Sequence, residues 1–184
     1  MNKLLQRLEG GSLISDGEAN SVADRVSENP ELMSELMEGL DEPDDVVRAR
    51  TAHALERISR KNPALLEGNL ELLMKKSVDK VPMVKWHIAM LLGNLSTTQE
   101  IGEKVLPVLF KLMQECEGVF VRSWSIVSLC VIGKKYPPLR KQITDEVSRY
   151  KDDKSLSIKV KIRKTMSCLN NNQPIPMGWV KNQT

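Results

Sequence analysis

At 184 residues, 41% hydrophobic and 28% charged, the chain has the size and balance of one folded domain or one short array of repeats. Aromatics make up only 4%, so a core must rest on Leu, Ile, Val, Met and Ala, which suits packed helices better than a β-sandwich. The net charge of +3 is uneven: residues 1–50 hold five Lys/Arg against twelve Asp/Glu, and residues 151–184 hold seven against two, so the chain opens acidic and closes basic.

The opening MNKLLQRLEGG lacks the apolar run of an export signal. It predicts a short helix near Asn2–Leu8, and a second follows near Glu18–Ser27, with glycines 10, 11 and 17 breaking the segment between them. Then come amphipathic stretches at Pro30–Leu40, Pro63–Ser77, Ile101–Cys116 and Pro138–Lys151, each read as a helix A. Between and after them lie VVRARTAHALERI from Val46, MVKWHIAMLLGNL from Met83, FVRSWSIVSLCVI from Phe120 and SIKVKIRKTMSCL from Ser157, each read as a helix B. Residues 171–184 break the pattern and form a tail carrying apolar Ile175, Met177 and Trp179. The most apolar stretch, residues 123–133, has about half the length that a bilayer span needs, so no membrane insertion is expected.

The four helix B stretches start 37 residues apart, three times over and without gaps. One column reads Val47, Val84, Val121, Ile158; the next is always basic, Arg48, Lys85, Arg122, Lys159. Further columns read Thr51, Ile88, Ser125, Ile162, then Leu55, Leu92, Leu129, Met166, then Ile58, Leu95, Ile132, Leu169. Their offsets of 0, 4, 8 and 11 put the apolar positions on one helical face. Leu36, Leu73, Phe110 and Val147 align in the same way on helix A. A single helix pair cannot bury both its stripes, whereas stacked pairs can. The expectation is therefore an all-α, right-handed α-solenoid of antiparallel helix pairs over residues 1–170, with 1–28 as an incomplete first pair followed by about four repeats.

These residues resemble the HEAT-repeat (armadillo-like) family, over about residues 28–170. In that family an acidic residue stands six places before the base of a Val-Arg/Lys pair. Here Glu42, Asp79 and Asp153 precede Arg48, Lys85 and Lys159, while the third copy departs with Cys116 before Arg122. The resemblance implies that the B helices line a concave surface, reached one, five and nine residues after the basic column. Family members usually carry polar residues there. This chain has Trp86, Met90, Val127 and Val131 in the middle of that surface, with Trp124 at its edge. Two readings stand side by side: these residues anchor a partner segment, or curvature and the tail cover them with Ile175, Met177 and Trp179.

Other constellations are weaker. Lys159, Lys161, Arg163 and Lys164 cluster on the last helix B, either to meet phosphates or an acidic protein or as a solvated end cap. The repeated acid–base pairs read as a ladder between repeats. His53 and His87 fall in different columns without an evident Ser, Cys or Asp partner and read as structural. No P-loop, Rossmann fingerprint or HExxH motif occurs, so neither cofactor nor metal is expected. Cys116, Cys130 and Cys168 lie far apart with no C-x-x-C pair, which speaks against zinc and for buried, reduced thiols in a cytoplasmic protein. Some HEAT-like proteins are DNA-repair glycosylases needing a groove carboxylate beside aromatics; Trp86 and Trp124 have no such acid on their face, and nothing signals a lyase-like enzyme subunit. The expected function is a non-enzymatic scaffold binding a helix or extended segment of another protein. The alternative is a nucleic-acid-binding array using the basic last repeat.

Overall fold

A computed structural model describes residues 2–180 of the chain. All of its regular elements among the described residues are helical. They are α1 (Lys3–Gln6), α2 (Ala19–Glu28), α3 (Met33–Glu38), α4 (Asp45–Lys61), α5 (Ala64–Glu67), α6 (Leu70–Lys75), α7 (Pro82–Leu95), α8 (Gln99–Glu115), α9 (Val119–Lys135), α10 (Arg140–Ser148) and α11 (Leu156–Asn170). Helices α4, α7, α9 and α11 are the four 37-residue copies. They pack in that order, each against the next, and α2 extends the row ahead of α4. Helices α3, α5–α6, α8 and α10 form the other layer, and α1 packs on α3.

The period survives in the packing. Val47, Val84, Val121 and Ile158 are all buried, as are Leu55, Leu92 and Leu129, and Ile58, Leu95, Ile132 and Leu169. They belong to one continuous apolar cluster running from Leu4 to Trp179. Each fully buried Leu or Ile contributes roughly 1.5–3 kcal/mol before the entropy of ordering is subtracted. Two members of the columns sit higher than the pattern implied: Phe110 and Met166 are only partly buried.

The first-layer helices are more broken than their amphipathic pattern suggests. Pro63–Ser77 divides at Gly68–Asn69 into α5 and α6, because glycine weakens a helix interior. The stretches expected from Pro30 and Pro138 begin as single 3-10 turns, Pro30–Leu32 and Pro137–Leu139, before continuing as α3 and α10. Pro107 lies inside α8 without ending it, on the exposed side. Some helix starts are capped by a side-chain oxygen: Asp44 accepts from the Val46 amide at 2.7 Å, and Thr98 from the Ile101 amide at 3.3 Å.

The acid–base ladder runs between repeats, with a different partner from the one that the spacing suggested. Arg48 Nε donates to Asp79 Oδ2 at 3.0 Å, so the base of one repeat meets the acid of the next. Glu42 offers Arg48 only its backbone carbonyl, at 2.8 Å. Arg122 repeats the arrangement with Asp153, whose other oxygen accepts from the Ser155 amide at 2.9 Å. The Arg122 guanidinium, helped by that amide, holds the Asp153 carboxyl below the usual range. Between these two rungs the acid is missing. Lys85 faces the place of Cys116, whose thiol is pushed up by burial. Substituting Cys116→Asp should therefore raise stability by about 1 kcal/mol, read as a rise of roughly 2–4 °C in Tm. The gain should vanish in a Lys85→Ala background; no gain with Lys85 present would refute the ladder.

Cys130 and Cys168 are buried free thiols, while Cys116 is half-buried rather than enclosed. Burial, and then the neighbouring Cys168, push the Cys130 thiol up to about 12.

Candidate functional site

Positions 37 residues apart share a register, and one such register on the second-helix layer is Arg50, His87, Trp124 and Lys161. The four side chains do different work. Arg50 is 4% exposed and donates to the carbonyls of Leu8, Glu9, Ser12 and Ser15, at 2.9–3.3 Å. The loop ahead of α2 is wrapped around its guanidinium. Gly17 has φ +50°, and a Cβ there would lie 2.5 Å from Arg50 Cζ, so only glycine fits. Wrapping the loop brings Asp16 to His53, whose Nδ1 lies 3.2 Å from Asp16 Oδ1. His53 in turn stacks on His87, with centroids 4.8 Å apart and planes 14° apart. The two histidines thus meet although their columns differ, because adjacent helices interleave their columns; His53 also has a carboxylate that the sequence did not disclose.

Along α7 and α9 the stack continues. Trp86 lies edge-on to His87 at 5.5 Å and tilted against Phe120 at 5.2 Å. Ile14, Asp16, Asn20, His53, Arg60, Met83, Trp86, His87, Met90, Phe120 and Trp124 line an open groove of about 490 Å³ across α2, α4, α7 and α9. Its lining holds no hydroxyl or thiol, so what it offers is aromatic and aliphatic contact together with the two imidazoles, the Asp16 carboxylate, the Asn20 amide and the Arg60 guanidinium. Ile14 is 87% exposed and Phe120 64% exposed. Neither was singled out from the sequence. For Phe120 a signal existed: it shares with Met83 the column that opens each copy.

The residues expected on this surface divide. Trp86 and Trp124 are half-buried and line the groove. Met90, at 7% exposed, and Val127, at 3%, are buried rather than open, because α7 and α9 pack closely and residues beyond α11 fold over them. Val131 is half-buried beside Val127. The covering residues are Trp179 and Val180, which close a smaller cavity of about 70 Å³ over Met90, Val127 and Val131. Ile175 also packs on the core, but Met177 is fully exposed.

The basic cluster divides too. Lys159, Arg163 and Lys164 are exposed, whereas Lys161 is half-buried between two indoles, 4.7 Å from the Trp179 ring and 5.8 Å from that of Trp124. Burial, and then Lys164, lower the Lys161 pKa. The four bases therefore do not form one solvated patch.

Among the described residues, no group of three or more His, Cys, Asp or Glu is placed to hold a metal ion, and no helix is long and apolar enough to cross a membrane. In comparisons with known proteins, the HEAT-repeat profile matches residues 33–130, more than half of the chain. A search of curated proteins found no match.

Proposed function

Because the chain belongs to the HEAT-repeat family, whose members are generally protein-interaction scaffolds, we propose that it is a non-enzymatic scaffold that holds a segment of another protein in the groove of its second-helix layer. One observation carries the reading: Trp86, Phe120, Met83 and Ile14 present apolar surface in a groove of about 490 Å³ that the described residues leave open. Large aromatics in a concave setting make strong anchors, and methionine adapts to its partner. A helix or an extended segment would lay one apolar face along the groove. Binding is non-covalent, and the acidic start of the chain biases the approach rather than the fit.

The nucleic-acid alternative is left with three exposed bases, Lys159, Arg163 and Lys164, since Lys161 is held between Trp124 and Trp179. The groove itself has one arginine, and Arg60 is paired with Glu56.

The test is partner recovery by a tagged full chain. Trp86→Ala with Phe120→Ala should reduce recovery by about tenfold to a hundredfold, the scale of two interface anchors. Because Trp86 is half-buried against the core, circular dichroism and Tm are read alongside to show that the variant is still folded. Unchanged recovery by the double variant would reject the groove as the contact surface.

A further inference from the structure

Residues 171–180 form a strap fastened at both ends. At the near end, Lys134 Nζ of α9 donates to the Asn172 carbonyl at 3.0 Å, to its side-chain oxygen at 2.6 Å and to the Gln173 carbonyl at 3.0 Å. At the far end, the Trp179 amide donates to the Pro176 carbonyl at 3.1 Å across a turn in which Gly178 has φ +80°. That turn drives the indole into the second-helix layer, where it is only 8% exposed. Between the fastenings Met177 is fully exposed.

The seat of Trp179 is more than incidental apolar contact. The Lys161 ammonium lies over both the Trp179 and Trp124 rings, a cation–π contact for which an indole is the strongest aromatic partner. Val127 and Val131 line the cavity beside it. Pro174 and Pro176 pre-set an extended backbone, lowering the entropy lost on docking. The seat also adjoins the open groove, since Met90, Arg60 and Trp124 line both. A segment lying along the groove from α2 to α9 would meet Trp179 at its end.

We propose that this seat is a receptor for a tryptophan in an extended, proline-flanked segment, filled here by the chain's own strap, and that a partner bearing such a segment displaces the strap and lengthens the groove. The inference rests on the reading that the groove holds a partner segment, and it specifies the chemistry of that partner. The tethered indole competes at the millimolar effective concentration typical of a short linker. It fixes a threshold that an incoming segment must exceed. A strap held by Lys134, the Cys168 thiol, Ile175 and one indole is still a short local element, and such elements open well below the global unfolding free energy.

The probe is a fluorescein-labelled peptide of residues 171–184, added to full-length protein and read by polarisation. Trp179→Ala removes the competitor, so the peptide should bind this variant at least about tenfold more tightly than it binds the unaltered chain. Binding should be lost when Lys161→Ala is added, or when the peptide carries alanine for its tryptophan. Because Trp179→Ala leaves the near fastening in place, Lys134→Ala with Trp179→Ala is measured in parallel. The proposal is overturned if neither variant binds at about 1 mM peptide while circular dichroism shows both folded. It is equally overturned if the alanine peptide binds as well. The two readings fail separately: Trp86→Ala with Phe120→Ala leaves peptide binding at the Trp179 seat intact, whereas it removes a partner held in the groove.

Discussion

Arg50→Ala should be among the most damaging single substitutions in the chain, lowering stability by about 3 kcal/mol or unfastening residues 8–17 outright. The guanidinium is nearly inaccessible and donates to four carbonyls 35 to 42 residues away in sequence. Hydrogen bonds from a charged donor are worth roughly 1.5–3 kcal/mol each, and they do not add when the accepting loop can detach as a unit. The measurement is chemical unfolding together with amide exchange. Exchange should accelerate throughout residues 8–17, and the contact between Asp16 and His53 should go with it. A variant with unaltered stability and exchange would show that the loop holds itself. Arg50→Lys should rescue little, because an ammonium cannot span four carbonyls that a planar fork reaches together.

Gly93→Val should be comparably severe, by about 3 kcal/mol, for a steric reason. A Cβ at Gly93 would lie 2.5 Å from Ser128 Oγ, 2.7 Å from its Cβ and 3.2 Å from its backbone Cα. Helices α7 and α9 approach each other through this pair of small residues. Ser128 also donates across the contact to the Ala89 carbonyl at 2.8 Å. Any side chain at position 93 pushes the helices apart and strains that bond, outweighing the intrinsic gain of up to about 1 kcal/mol when glycine leaves a helix. Gly93→Ala should cost less, and Ser128→Gly in the same chain should recover part of the loss. If Gly93→Val unfolds at the denaturant concentration of the unaltered chain, the close approach of α7 and α9 is not what sets their spacing.

The stacking was legible in the sequence because it depends on local periodicity. Val47, Val84, Val121 and Ile158 must point the same way on helices of the same pitch, and burying one buries all. The missing ladder acid at Cys116 could be seen for the same reason, although not that Arg48 and Arg122 take the acid of the following repeat rather than that of their own. The groove was legible only in part. Trp86 and Trp124 could be placed on the second-helix face by their offset from the basic column. Whether Met90 and Val127 on that face stayed open depended on how closely α7 and α9 pack and on where residues 171–180 turn, and neither distance is encoded in a repeat pattern. Arg50 escaped notice because its partners are backbone carbonyls in an irregular loop, which carry no residue signature. Phe120 was visible as the opening residue of its copy, but its exposure follows from its place on the rim of the groove.

These elements make one physical claim: a continuous interior fixes the second-helix layer, and that layer's open face takes up another chain. A photo-reactive benzoylphenylalanine placed at Phe120, at Met83 or at Lys104 tests it most directly. Phe120 and Met83 line the groove, whereas Lys104 is exposed on α8 in the other layer. The account predicts a discrete cross-linked adduct from Phe120 and Met83 that Trp86→Ala diminishes, and none from Lys104. Adducts from Lys104 alone, or adducts from Phe120 indifferent to Trp86→Ala, would contradict it.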